Sequence, residues 1–310
     1  THSNHVMSSN VVADGTTELR LYYTRDIQTV TFNDYDGSLL ESRTVRYGGD
    51  ISYPTNPTRD GYVFNGWSGS TSPVTADITL TATYLVDSNT GYKVRHYTQN
   101  TDLTTYTLIE EEELVGTTLS TVTAADKSPI DFSLNTSDST SSGTVLADGS
   151  LVLIQRYDRN EYTVIYRNYD GTIISNQNVK YQLDAAPPAS PSRFGYTFSG
   201  WSKDGTNVTG NLDIIAEFVI TSFTVRFFDY DGTVLSTQSV EYGSDPITPT
   251  APTREGHSFD SWDPIPSSII ADTDFTAQYN INKYTVDYVD YDGTILNSQE
   301  VEHGNNSIPP

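Results

Sequence analysis

The spacing of one short phrase constrains this chain more than any other feature. The phrase [Asn/Asp]-Tyr-Asp-Gly-[Ser/Thr] occurs four times, with the aspartate before glycine at Asp36, Asp170, Asp231 and Asp292. The three tryptophans of the chain, Trp67, Trp201 and Trp262, follow Asp36, Asp170 and Asp231 at one identical interval. Agreement over so long an interval, three times over, marks an internal repeat, so the chain folds as a series of small units. From Asp170 to Asp231 to Asp292 the copies recur at a constant period. The step from Asp36 to Asp170 is more than twice that period, which leaves room for a different module between the first two copies.

Each copy reads as strands and turns. An alternating segment precedes the phrase every time: Thr29-Val30-Thr31-Phe32, Thr163-Val164-Ile165-Tyr166, Thr224-Val225-Arg226-Phe227 and Thr285-Val286-Asp287-Tyr288. β-Branched and aromatic residues in alternation suit a half-buried strand, and Asp-Gly after it signals a hairpin. Pro-x-x-Pro then cannot pair inside a sheet and makes an extended connector. Tyr-x-Phe-x-x-Trp and a last apolar segment such as Ile78–Tyr84 complete four strands, with little left for a helix. The predicted class is mainly β, in small tandem modules like beads on a string. In a core this small, each Trp with its neighbouring Phe (Phe64, Phe198, Phe259) is the expected keystone. The links are short, and only Val86–Gly91 reads as a hinge.

The inserted stretch ends Ala147-Asp148-Gly149-Ser150-Leu151-Val152-Leu153, and Ala13-Asp14-Gly15-Thr16 near the start of the chain echoes it. The offset from Asp14 to Asp148 equals that from Asp36 to Asp170. The chain is therefore expected to begin in the tail of an insert-type module and to break off inside a fourth repeat.

Charge and composition exclude several functions. With 40 acidic against 17 basic residues the net charge is −23, which repels nucleic acid and anionic membranes. No stretch approaches a membrane-spanning length, and Thr1-His2-Ser3-Asn4 does not open a signal peptide. There is no cysteine, so thiol catalysis, thiolate metal sites and iron–sulfur clusters are absent, and the composition suits a Gram-positive-like surface.

The candidate sites favour structure over chemistry. Asp34 with Asp36, Asp229 with Asp231, and Asp290 with Asp292 place alternating carboxylates before glycine, as calcium loops do, but no ligand series continues beyond them. The preferred reading is a turn in which Gly37, Gly171, Gly232 and Gly293 supply positive φ. No cofactor is expected, with calcium as the secondary possibility. The tryptophans could stack on sugars, yet their fixed slot argues for packing. The histidines form no constellation: His257 stands where other copies have Tyr62 and Tyr196, and His303 where they have Tyr47, Tyr181 and Tyr242. Lys93 and Lys127 are the only lysines open to an isopeptide crosslink within a module, and Glu110–Glu113 reads as a solvated strand end. No Gly-x-Ser-x-Gly elbow is present, and the chain is expected not to be an enzyme.

The order Thr-Val-x-Phe, Tyr-Asp-Gly, Pro-x-x-Pro-Thr-Arg-x-Gly-Tyr-x-Phe-x-x-Trp, Ile-Thr-Leu-x-Ala-x-Tyr resembles the internalin-type B repeat, also called the Listeria–Bacteroides repeat, most closely from Pro54 to Trp67. Tyr92–Tyr97, Thr105–Leu108 and Gly116–Thr118 of the insert resemble the mucin-binding-protein (MucBP) type of module. The resemblance implies a β-grasp-like fold with parallel first and last strands, strung into an elongated rod. It divides the chain into a MucBP-like tail (1–26), B repeat 1 (27–85), a MucBP-like module (91–160), B repeats 2 (161–220) and 3 (221–281), and part of a fourth (282–310). It also implies an extracellular, cell-surface or cell-wall-attached protein. The expected role is a stalk or adhesin region. A filament subunit pairing through β-edges, or a mucin- or glycan-binding module at 91–160, are the alternatives. Expected partners are glycans or proteins of a host or the environment, or like chains.

Overall fold

The structure, a computed structural model, describes residues 10–69 and 72–310. In the first repeat β1 (Ile27–Asn33) turns into β2 (Leu39–Arg46), and β3 (Tyr62–Ser68) turns into β4 (Ile78–Val86). The sheet order is β2-β1-β4-β3, with β1 and β4 parallel and both outer pairs antiparallel. This is the strand order of a β-grasp. No helix covers the sheet: its place is taken by the proline-bearing crossover between β2 and β3. Alternation along β1 sends Val30 and Phe32 inward to full burial, where they meet Leu80 of β4 and Val74 of the β3–β4 connection.

A bulge between Phe64 and Gly66 explains the odd spacing of the aromatic motif. Residues three apart on a regular strand face opposite sides, but the extra residue returns Trp67 to the face of Phe64. Their rings lie 5.5 Å apart. The same bulge recurs in the second and third repeats.

The insert has six strands: β5 (Thr90–Gln99), β6 (Tyr106–Gly116), β7 (Thr121–Thr123), β8 (Phe132–Leu134), β9 (Ser142–Thr144) and β10 (Val152–Arg159). Its main sheet runs β6-β5-β10-β8, again with the central pair parallel, and β7 pairs with β9 apart from it. Two dissimilar sequences thus share one topology. The second repeat contains β11 (Glu161–Arg167), β12 (Ile173–Lys180), β13 (Tyr196–Trp201) and β14 (Leu212–Ile220). The third contains β15 (Ser222–Phe228), β16 (Val234–Glu241), β17 (His257–Asp263) and β18 (Thr273–Ile281). Both repeat the order of the first. A final hairpin joins β19 (Lys283–Val289) and β20 (Ile295–Glu302). The chain forms two compact units, one ending at Asn160 and the other starting at Glu161.

The echo of the insert near the start does not fold as its counterpart does. Residues 1–9 lie outside the described residues. Residues 10–26 form no strand, although Val152–Arg159, their counterpart, is β10. In the insert β10 is held between β5 and β8, and residues 10–26 have neither neighbour.

Candidate functional site

The recurrent phrase folds as a type I turn followed by a left-handed glycine. Gly37 N donates to Asp34 O (3.0 Å), and Gly37 has φ +87°. Gly171, Gly232 and Gly293 repeat it at +86°, +87° and +86°. Asp36 Oδ1 accepts from both the hydroxyl and the amide of Ser38 (2.6 and 2.9 Å). These bonds hold Asp36 below the usual carboxylate range, the hydroxyl contributing most. The partner hydroxyl, then its amide, lowers Asp170 and Asp292 in the same way, whereas the amide leads for Asp231.

The first acid of the phrase has a different task. Tyr84 of β4 donates its hydroxyl to Asp34 (3.0 Å), and Tyr279 of β18 donates to Asp229 (2.7 Å). Burial and then the carboxylate raise both phenols, Tyr279 to about 12. In the second repeat the same two positions are Asn168 and Phe218: the hydroxyl and the charge have been exchanged together. Asp290 accepts from the Tyr291 amide in its own turn (2.8 Å). Among the described residues no three acidic or histidine side chains gather where they could hold a metal ion.

An arginine closes each of the first three turns against β3 or its equivalent. The Arg59 guanidinium lies 3.6 Å from the Tyr35 ring centre and 3.8 Å from that of Tyr62. Arg193 sits likewise between Tyr169 and Tyr196, and Arg254 stacks on Tyr230. Such stacks contribute about 0.5–1 kcal/mol at exposed sites.

The structure shifts the keystone of the core from the tryptophan to the aromatic residue of the first strand. Phe32, Tyr166 and Phe227 are at most 2% exposed, while Trp67 and Trp201 are half-buried and Trp262 is 7% exposed. Each Trp meets that ring edge-on at 4.9–5.0 Å, with Phe64, Phe198 or Phe259 on its flank. The parallel first and last strands occupy the middle of each sheet, so their side chains are covered most completely.

A glutamine clamp, which the sequence reading missed, fastens the crossover. The Gln177 amide donates to Ala186 O (2.9 Å) and accepts from Ala186 N (3.0 Å). Gln238 does the same with Ile247, and Gln299 with Ile308. In the first repeat Arg43 takes the place, donating to Ser52 O (2.9 Å). All four clamps stand at the same offset from the turn aspartate, so aligning the copies would have exposed them.

The module joints are built from recurring parts. Between the second and third repeats, Thr221 N donates to Gly195 O (3.0 Å) and Tyr242 N to Thr221 O (2.8 Å). The Tyr242 ring lies so close over Gly195 that a Cβ there would stand 2.2 Å from it. Between the third repeat and the final hairpin, Gly256, Asn282 and His303 make the same joint at 2.9 and 2.9 Å. His257 and His303 face each other across it, ring centres 6.4 Å apart. The tyrosine slot that His303 fills is thus a joint contact. His96 is instead buried in the insert, and His2 and His5 lie outside the described residues.

The expected hinge at Val86–Gly91 is held on both sides. Asp87 N donates to Gly61 O (2.9 Å), Thr118 N donates to Asp87 O (2.8 Å), and Ala147 packs onto Gly61. Sequence composition suggested freedom here because Gly61 and Thr118, the pairing partners, lie far from Asp87 along the chain on either side.

The glutamate run lies in the middle of β6 rather than at its end. Lys93 pairs with Glu111 and Glu113, and Lys127 with Glu110 and Glu112. Carboxylates thus hold the two lysines that stood open to a crosslink within the insert. Glu112 also reaches the buried His96 at 2.7 Å. Lys127 N donates to the Tyr157 hydroxyl (3.0 Å), which donates in turn to His96 Nδ1 (2.7 Å) and leaves Nε2–H for Glu112.

These features define a class: tandem four-stranded β modules whose recurrent polar residues are spent on turns, clamps and joints. The Listeria–Bacteroides repeat domain matches residues 29–91, 162–222 and 223–283, more than half of the chain. The chain belongs to the Listeria–Bacteroides repeat family. The insert beyond residue 91 lies outside these matches.

Among relatives, a protein of Evansella cellulosilytica named as a Gly-rich membrane protein is 24% identical across 87% of this chain and 35% of its own length. Internalin H of Listeria monocytogenes is 33% identical across 33% of this chain and 20% of its own. The chain thus spans about a third or less of these relatives. A solved structure, Streptococcal High Identity Repeats in Tandem domains 3–4 from a cell surface protein, is 19% identical and covers 39% of this chain and 98% of its own, with a TM-score of 0.19.

Proposed function

We propose that the chain is a non-catalytic repeat segment of a bacterial surface protein that works as a stalk, carrying a more distal binding region away from the cell. The joints carry this reading. At Asp87, Thr221 and Asn282 the link is hydrogen-bonded to both neighbours, and at the latter two an aromatic ring covers a glycine. Such links resist bending because movement would break two backbone bonds and expose the ring. The surface setting is supported by the family and by the internalin relative.

Small-angle scattering across a concentration series, with and without calcium, tests the proposal. A stalk gives a concentration-independent radius of gyration well above the roughly 19 Å of a globule of this length. A compact particle overturns it.

A filament is the second reading, because the outer strands β12 and β16 run without a charge from Ile173 to Val179 and from Val234 to Val240. Edge strands that avoid pairing usually carry charges, as β6 does. Scattering mass that grows with concentration would favour this reading over the stalk.

A further inference from the structure

The second repeat departs twice from its neighbours in the series, and both departures meet at one cavity. The first is Tyr166, which stands where the first and third repeats have Phe32 and Phe227; the final copy also has a tyrosine there, Tyr288, whose hydroxyl pairs with Ser307 (2.6 Å). The second is Lys203-Asp204-Gly205-Thr206-Asn207, where the third repeat has Pro264-Ile265-Pro266-Ser267-Ser268. Between them lies a cavity of about 160 Å³, walled by Tyr166, Trp201 and Pro187 and rimmed by Lys203, Asp204 and Thr206.

The added hydroxyl calls for a partner. Tyr166 is 2% exposed, yet its Oη makes no hydrogen bond to any described residue, and burial pushes the phenol up. The hydroxyl lines the cavity, where it can take a partner from outside the chain, and the phenylalanine of the first and third repeats offers none. Gly205 permits the approach: a Cβ there would lie 2.5 Å from Tyr166 Oη. The rim is also unusual. Lys203 has no carboxylate partner among the described residues, although the other four lysines do. Asp204 Oδ1 accepts from Thr206 N (3.0 Å), which leaves Oδ2 for another donor.

We infer that this cavity binds one saccharide residue of a glycan. An apolar aromatic wall suits the C–H face of a sugar ring, and a hydroxyl, an ammonium and a carboxylate around it suit its hydroxyl groups. The volume lies below the roughly 300–1,000 Å³ usual for drug-sized ligands, which fits a single ring. The site is independent of the stalk reading, since a stalk needs no ligand, and it falls in a B-type repeat rather than in the insert.

The test uses the whole chain and the methyl glycosides of glucose, galactose, N-acetylglucosamine and N-acetylgalactosamine. Saturation-transfer-difference NMR should detect at least one of the four, with aromatic protons as the source of saturation. Tyr166→Phe, a residue the first and third repeats tolerate, should weaken that glycoside roughly tenfold with the melting temperature kept or raised. Exchanging residues 203–207 for those of the third repeat should abolish the signal. Absence of transfer from all four glycosides overturns the site, and a Tyr166→Phe variant that is also more stable then identifies a void holding water only. Transfer that persists unchanged in both variants overturns it equally, because binding then lies elsewhere.

Discussion

Asp34 and Tyr84 show how a residue's task is written in a partner far along the chain. The second repeat has exchanged both, to Asn168 and Phe218, so hydroxyl and carboxylate are needed together or not at all. Tyr84→Phe alone should therefore destabilise the first repeat by about 1 kcal/mol, because the carboxylate loses its donor. Adding Asp34→Asn should restore most of that loss, and urea unfolding of the two single variants and the double variant measures the coupling. The turn aspartates Asp36, Asp170, Asp231 and Asp292 give a pH prediction. Their folded pKa values are depressed, so their contribution is present above the unfolded value and lost as pH falls through the folded ones. A carboxyl-detected NMR titration should show these four protonating below the ordinary aspartates. Asp36→Asn should keep the turn and make it insensitive to acid.

At the scale of the element, strands and turns could be read from alternation and Asp-Gly, but the crossover could not. An extended proline-bearing segment has no period, and what holds it is a side chain on β12 or β16 acting as a short length of strand. Gln238→Ala should release the crossover of the third repeat at a cost of about 1–2 kcal/mol for two neutral hydrogen bonds. Hydrogen exchange at the Ile247 amide should accelerate, with exchange in β15 and β18 little changed. The bulge before Trp67 was equally hidden: a three-residue spacing on a strand signals one only when both residues are known to face inward.

For the molecule, the consequential contacts are those at the joints. Gly195→Ala places a methyl group inside the Tyr242 ring, and Gly195 also holds a φ of +78° that alanine disfavours. The variant should keep both repeats folded by circular dichroism. Its amide shifts should change around Thr221 and Tyr242, and its scattering curve should show a less constrained particle than the wild type. An unchanged curve would mean that the glycine contact does not govern the joint. Joints of this kind also couple neighbouring stabilities, so Tyr242→Ala should lower the melting point of the third repeat and, to a smaller extent, that of the second.

The sequence by itself determined the repeat, its strands and the left-handed glycine of each turn, because these follow from local periodicity and from which residues tolerate positive φ. It also carried the family resemblance. Tertiary structure alone decided that the insert shares the strand order of the repeats, that Phe32 and not Trp67 lies deepest, and that Asp87 is tied on both sides. It alone placed the hydroxyl of Tyr166 at a cavity with Lys203 and Asp204. Each of these depends on residues far apart in the chain meeting across a sheet or a joint, and no local pattern of side chains records such a meeting.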